Sequence, residues 1–306
     1  GRNSKKACRS ISGMSLIRKC FAYMGRGNFK TAFAAGVALK CLVADGKSGQ
    51  QCINAAKDRD QAALLFRYAA MFVRNDPELS EICEVIDSGK RIVVKETGSF
   101  LWSIPADERG AFGLHPGFVC FDEYHVADRQ LAGVLATAMG TRQEPLTLIT
   151  TTAGDDVSSV AYDEYQYASR VSRGEIVDSS YLPLIFEAGE TDDPMIPETW
   201  KKANPVWDFA GDTFREYIAA QAKRADDDPT FMPQFMTYHL NRWTRPEARA
   251  FDMDQWAASA GEVDEAGLGG RLCYGGLDLS STADLTALTL VFPLEDGTCK
   301  VLARAW

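Results

Sequence analysis

The sequence predicts an α/β protein, a parallel sheet with flanking helices, and three observations lead there. A run from Phe118 to Phe121 is apolar at every position and ends in two carboxylates, Asp122 and Glu123. That is how a central strand buried on both faces reads. A glycine loop, Gly25-Arg26-Gly27-Asn28-Phe29-Lys30-Thr31, separates a strand-like stretch from an alanine-rich helix. Strand, helix, strand then recurs from Val119 to Ala153, the order that makes a right-handed parallel unit.

Composition narrows the class. The chain has 306 residues, room for two domains. Its longest apolar runs fall far short of the roughly 20 residues that span a bilayer, so no membrane partner is expected. Residues 1–20 are basic and broken by Ser, Gly and Lys, unlike a secretory signal. The eight cysteines are scattered and form no CxxC pair, which removes the usual zinc and disulfide frameworks. Several stand inside apolar runs, as small buried hydrophobes do, and a reducing cytoplasm is expected. The net charge of -9 argues against a protein that coats nucleic acid. The first thirty residues are locally basic, with Arg2, Lys5, Lys6 and Arg9 among them, and read as a solvated arm.

Taken in order, residues 14–24 read as a strand, and Ala32 to Ala44 as a helix stopped by Asp45-Gly46. Between them lies the context of a phosphate-binding loop, in which backbone N–H groups and a helix N-terminus face phosphates. Lys30 would reach the outer phosphates, and the Thr31 hydroxyl would bind Mg²⁺. The usual pattern has two glycines where Met24 and Phe29 stand here. By its own residues the loop reads better as an ordinary βα turn. Gln51 to Ala56 reads as a second strand, and Asp58 caps a helix to about Arg74 with Leu64, Leu65, Tyr68 and Phe72 on one face. Residues 90–104 hold two paired strands.

After the acidic strand, Asp128 opens a helix carrying Leu131, Val134, Leu135, Ala138 and Met139, ended by Gly140. Leu146 to Ala153 is a further buried strand, ending in Thr150-Thr151-Thr152. It places the threonines beside Asp122 and Glu123 at one sheet edge, the lip where ligands bind in open α/β sheets. Alone, the acidic pair is also what a turn after a strand looks like. With the loop and the threonines it has the layout of an ATPase: Asp122 supports the metal and Glu123 polarises water. His125 stands beside the site, whereas His115 and His239 read as structural.

Tyr181 to Phe186 is another strand, followed by an acidic, proline-bearing exit and a helical stretch, 198–245. Gly261 to Gly270 resembles a linker. Leu272 to Ser280, Leu285 to Phe292 and Cys299 to Ala305 are strands, the last two joined by Glu295-Asp296-Gly297 as a hairpin. Asp278 is, on its own, a polar residue at a strand end.

Together these segments resemble the large subunit of a tailed-bacteriophage terminase, over most of residues 16–306. The family's arginine-bearing P-loop is similar to Gly25–Thr31, its strand-end acidic motif to Phe121-Asp122-Glu123-Tyr124-His125, and its coupling motif to Thr150–Gly154. Ala55–Ala62 and Asn241-Arg242-Trp243-Thr244 resemble two further family segments. The resemblance implies a P-loop NTPase domain over 1–190, a helical linker over 191–265, and the start of an RNase H-like nuclease over 266–306. It implies ATP and Mg²⁺ as cofactors, with Mg²⁺ or Mn²⁺ in the nuclease. ATP binding falls to Gly25, Arg26, Gly27, Asn28, Lys30 and Thr31; catalysis to Glu123 and Arg26; coupling to Thr151 and Thr152; nuclease metal binding to Asp278, with Asp284 nearby. Expected partners are double-stranded DNA, a portal protein, the small terminase subunit and copies of the chain in a ring, in the host cytoplasm. The family's later acidic residues are missing up to Trp306, so DNA cleavage by this chain is not expected. Two alternatives stay open: a degenerate, non-hydrolysing P-loop protein, for which Phe29 speaks, and another P-loop DNA translocase.

Overall fold

A computed structural model describes residues 17–56, 59–105, 113–126, 133, 135, 137–142, 144–244, 258–259, 261, 263–279 and 286–306. Several expectations lie outside these residues: the basic arm, the strand entry before Ile17, Asp58 as a cap, Asp128 with Leu131 and Val134, and Asp284. The chain divides into two compact units, residues 1–246 and 247–306.

The first unit is an eight-stranded sheet. Its strands are β1 (Lys19–Tyr23), β2 (Gln51–Ala56), β3 (Cys83–Ile86), β4 (Arg91–Val94), β5 (Phe100–Pro105), β6 (Phe118–Phe121), β7 (Leu146–Thr151) and β8 (Tyr181–Ile185). They lie in the order β3-β4-β5-β2-β6-β7-β1-β8. All neighbours from β5 to β8 run parallel, and β3 and β4 add an antiparallel edge. The acidic strand β6 is central, as its all-apolar sequence required. The edge strand β3, preceded by helix α3 (Pro77–Ile82) and its Asp76 cap, is the part the sequence did not announce. It has only four residues, of which Cys83 alone is buried, and it carries Glu84, too little pattern to separate a strand from the preceding turn.

The strands have core on both faces. Cys20, Cys52, Cys120 and Leu148 join one apolar cluster, and their chain neighbours Phe21, Ile53, Val119 and Ile149 join the other. This is the period-two alternation of a strand, sandwiched between layers. The first face carries α1 (Lys30–Leu39) and α2 (Arg59–Asn75). It is lined with cysteines, and α1 meets it with Ala34, Ala35 and Ala38. Small residues on both sides let the helix that follows the phosphate loop sit close to the sheet. The described cysteines of this unit, Cys20, Cys41, Cys52, Cys83 and Cys120, are buried, as expected for small hydrophobes. Helix α1 begins at Lys30, two residues earlier than the alanine run suggests, and ends in a π-helical turn, Lys40–Ala44.

The other face carries α4 (Val160–Ser172). After β8 come α5 (Pro197–Ala203), α6 (Gly211–Asp227) and α7 (Met232–His239). They close over a third apolar cluster of their own, with Trp200, Ile218, Phe231, Phe235 and Leu240. Among the described residues no helix is long and apolar enough to cross a membrane.

The second unit holds a three-stranded antiparallel sheet, β11-β10-β9, from β9 (Tyr274–Asp278), β10 (Ala287–Pro293) and β11 (Cys299–Ala305). The hairpin stands where expected. Asp296 Oδ1 accepts from the Thr298 N–H at 2.9 Å, and Gly297 turns the chain at φ 83.

Candidate nucleotide site

The ends of β1, β6 and β7 converge as the sequence anticipated. Asp122, just past β6, is 8% exposed and has a hydroxyl on each carboxylate oxygen. Thr31 Oγ1 donates to Asp122 Oδ2 at 2.7 Å, and Thr150 Oγ1 donates to Asp122 Oδ1 at 2.6 Å. One carboxylate thus joins the first turn of α1 to the end of β7. Parallel pairing of β6 with β7 sets Phe121 opposite Ile149, so Thr150 arrives level with Asp122.

Glu123 adopts a left-handed backbone conformation, φ 54. For a residue with a Cβ that costs roughly 1–2 kcal/mol. The turn brings Glu123 Oε1 to 3.9 Å from Lys30 Nζ and Oε2 to 3.3 Å from His125 Nδ1. Burial, the larger influence, pulls the His125 pKa down while Glu123 pulls it up. The net direction is downward from 6.5, which favours the neutral imidazole beside Glu123. The His125 N–H donates to Thr151 Oγ1 at 3.1 Å, which fastens the turn to β7.

The loop between β1 and α1 turns through two left-handed residues. Gly27 and Phe29 are both left-handed, at φ 82 and φ 54. Phe29 therefore takes up the conformation that a glycine would hold without strain, and the residue is 62% exposed. Lys30 is buried, and its ammonium donates to the loop carbonyls of Met24 and Gly25 at 3.4 and 3.3 Å. Burial lowers its pKa, and Glu123 and Asp122 act in the opposite sense. Arg26, Gly27, Lys30 and Thr31 from the loop and the start of α1, Asp122, Glu123 and His125 from the turn after β6, and Gln61 and Leu64 from α2 surround a cavity of about 420 Å³.

Not every residue singled out stands where expected. Arg26 lines this cavity, yet its guanidinium lies 3.6 Å over the Tyr238 ring of α7. Asn28 is turned away into the helical region, donating to Asn204 Oδ1 at 2.7 Å and to the Gly25 carbonyl at 3.0 Å. Gly25 has little room for a side chain, because a Cβ would lie 3.1 Å from the Tyr238 carbonyl oxygen. Of the threonine row, Thr150 meets Asp122 and Thr151 meets His125, while the buried Thr152 hydroxyl has no partner among the described residues. Thr150 was visible as part of the row, but only the register between β6 and β7 says which of the three reaches the carboxylate. Nothing local marks Tyr238 as a loop contact. His239 is structural as expected: buried, ringed by Tyr217 and Phe235, with its pKa pushed down to about 4, mainly by burial. His115 lies away from the cavity, its N–H donating to Gln51 Oε1 at 2.8 Å.

Asp278 ends β9 and is exposed, as is every residue of that strand. Among the described residues no group of three His, Cys, Asp or Glu side chains is placed to hold a metal. A two-metal nuclease needs several converging carboxylates, so the described residues do not fit that group. The first site offers one carboxylate and one hydroxyl, a donor set that would fit a divalent ion whose shell is completed by phosphates.

Comparison with known proteins places the chain in a family. Residues 7–170 match the family description "Terminase large subunit, ATPase domain", and residues 175–304 match "Terminase large subunit, endonuclease domain". The chain is 28% identical over 292 residues to the large terminase subunit of Enterobacteria phage HK97, covering 92% of this chain and 55% of that protein. It is 26% identical over 239 residues to protein YmfN of Escherichia coli K12, covering 75% of this chain and 52% of that one. It spans about half the length of the curated relatives it matches. The crystal structure of the HK97 large terminase superposes with a TM-score of 0.67 at 25% identity, over 95% of this chain and 59% of that one. The large terminase of a thermophilic bacteriophage shares the fold, with a TM-score of 0.51 at 13% identity over 95% of this chain and 63% of that one. An unrelated P-loop translocase is thereby set aside: the chain belongs to the terminase large subunit family, and its first unit carries that family's ATPase fold.

Proposed function

We propose that this chain is the ATP-hydrolysing part of a viral DNA-packaging motor. The observation that carries the reading is the pair of hydrogen bonds that Asp122 accepts from Thr31 and Thr150, with Glu123 held beside Lys30 by a strained turn. A carboxylate fixed between the phosphate loop and a neighbouring strand is preorganised for a task, and strain at a turn persists where function requires it.

The residues divide the work as follows. Gly25 to Thr31 receive the phosphates of ATP, with Lys30 exchanging its loop carbonyls for phosphate oxygens. Thr31 Oγ1 and Asp122 would hold Mg²⁺, which when bound neutralises charge on the phosphates. Glu123 orients the attacking water and accepts its proton at a carboxylate oxygen. Arg26 leaves the Tyr238 ring to meet charge developing on the phosphates. Thr151 and Thr152 pass the state of the site along β7. Residues 191 to 265 serve as the linker region, a reading supported by the apolar cluster that α5, α6 and α7 form among themselves.

Family membership supports the wider role: translocation of double-stranded DNA into a procapsid, docked on a portal as a ring of copies and fed by a small terminase subunit, in the host cytoplasm. Asp278 is proposed as one carboxylate of the nuclease domain, with Mg²⁺ or Mn²⁺ as its metal. No cleavage step is derived from it.

The test is Mg²⁺-dependent ATP turnover by the chain beside Lys30→Ala and Glu123→Gln. Turnover in the native chain that both variants abolish is expected. Turnover that survives Glu123→Gln sinks the assignment of the base. Nucleotide binding without turnover in the native chain points to a non-hydrolysing relative.

A further inference from the structure

Asn241 belongs to a segment that resembles the family but has no part in the chemistry above. It is wholly buried and left-handed, φ 55. Three hydrogen bonds meet on it, each to the end of a different strand. The Tyr23 hydroxyl, at the end of β1, donates to the Asn241 carbonyl oxygen at 2.8 Å. The Ala153 N–H, just past β7, donates to Asn241 Oδ1 at 2.8 Å. Asn241 Nδ2 donates to the Phe186 carbonyl oxygen, just past β8, at 2.8 Å. Strands β7, β1 and β8 are adjacent in the sheet. Asn241 thus pins three neighbouring strands together at the end where the loop leaves β1 and the threonines leave β7.

The side chain suits this place for chemical reasons. It must accept at one atom and donate at the other from a single short arm. Asp lacks the donor and would set its carboxylate against the Phe186 carbonyl. Gly takes the left-handed backbone freely but makes neither bond. Turning the amide over would oppose two carbonyls and two donors. Asn is among the few residues with a side chain that tolerate the left-handed region. The flanking chain adds to the clamp: the Arg26 N–H donates to the Tyr238 carbonyl oxygen at 2.8 Å, and the Thr244 N–H donates to the Gly154 carbonyl oxygen at 3.4 Å.

We propose that Asn241 is a positioning residue for hydrolysis: by fixing Ala153 against β1 and β8 it sets the height of Thr150 and Thr151, and so the placement of Asp122 and His125. It acts in the ATP turnover proposed above, so native turnover is measured first. Asn241→Gly should lower kcat about tenfold at nearly unchanged KM for ATP, the effect of a small misplacement in a catalytic array. Asn241→Asp, which keeps the acceptor for Ala153, should fall between native and Asn241→Gly. Because the effect runs through Thr150, Asn241→Gly should add less than about twofold in a Thr150→Val background. Merely loosening the fold would instead multiply the two losses. A second reading needs no turnover: amide exchange at Thr150–Thr152 should quicken in Asn241→Gly, with Val119–Phe121 unchanged. An unchanged kcat in Asn241→Gly beside an active native chain, a full product of losses in the double variant, or unaltered exchange at Thr150–Thr152 each overturns the proposal. A native chain without turnover, but with quickened exchange in Asn241→Gly, faults the ATPase reading and leaves the pin standing.

Discussion

Two aspartates of this chain stand at strand ends, Asp122 just past β6 and Asp278 at the end of β9, and their surroundings differ. The stretches before Asp122 and Asp278 are both short, and each is followed in sequence by further strands. Asp122 leaves a central strand with parallel neighbours on both sides, and two hydroxyls from distant segments reach it. Asp278 leaves an exposed outer strand containing Gly275 and Gly276, with no acidic cluster around it among the described residues. The difference shows that a strand-end carboxylate acquires chemistry from its neighbours in the sheet, and that register decides which neighbours it has.

Substitutions at the two ends put this contrast to the test. The largest effect belongs to the first end. Lys30→Ala or Glu123→Gln should cut Mg-ATP turnover by at least about 100-fold, the loss typical of removing one preorganised electrostatic or acid–base group. Steady-state kinetics on folded variants checks this. An equal loss from Asp278→Asn would erase the distinction between the ends.

Next in size is a pH effect behind the phosphate loop. His239 has its pKa pushed down to about 4 from 6.5, by burial first and Arg26 second. The unfolded chain therefore takes up the proton at a higher pH than the folded one. Stability contributed by neutral His239 is intact above pH 6.5 and lost as pH falls toward 4, by about 3 kcal/mol in all. Denaturant unfolding between pH 7 and 4 should show this slope, and His239→Gln should flatten it. A slope unchanged in His239→Gln would show that the imidazole is not held neutral.

Thr150→Val keeps the shape of the side chain and strips one donor from the buried Asp122 carboxylate. It should cost about 1–3 kcal/mol, seen in denaturant midpoints. Thr152→Val, which removes a buried hydroxyl without a partner among the described residues, should cost nothing or stabilise. The two neighbouring threonines thereby test whether contact with Asp122, and not mere membership of the row, carries the energy.

Smaller still is Phe29→Gly. Its ring is exposed and its backbone left-handed, so glycine should stabilise the fold by about 0.5–1 kcal/mol. A calorimetric Tm below that of the native chain would mean that the ring has packing the structure does not give it. The smallest effect is expected at Asp278→Asn: a stability change within about 0.5 kcal/mol, as for exposed positions generally, and unaltered ATP turnover.

Much of the site was legible in the sequence. A loop with Lys30 and Thr31 at its end, an apolar run stopping at Asp122-Glu123 and a threonine row after a second apolar run are local patterns, each produced by a strand running out into a loop. Parallel connection by helices obliges those strand ends to gather at one edge. What could not be read was the choice within each pattern. Phe29 stands where a glycine is usual, and only the folded backbone shows that it takes a glycine's left-handed conformation. Arg26 looked like a phosphate ligand, and it rests on the ring of Tyr238, far along the chain.

The strand succession, the phosphate loop and the acidic end thus follow from the chain's own local patterns, because hydrophobic alternation and turn chemistry act over a few residues. Folding in three dimensions settled the rest: that Thr150 is the threonine on Asp122, that Glu123 turns left-handed, and that Asn241 joins three strand ends. The Thr150 and Asn241 contacts link segments 28 to 218 residues apart. Such contacts are set by sheet register and helix packing, which no short stretch of chain encodes.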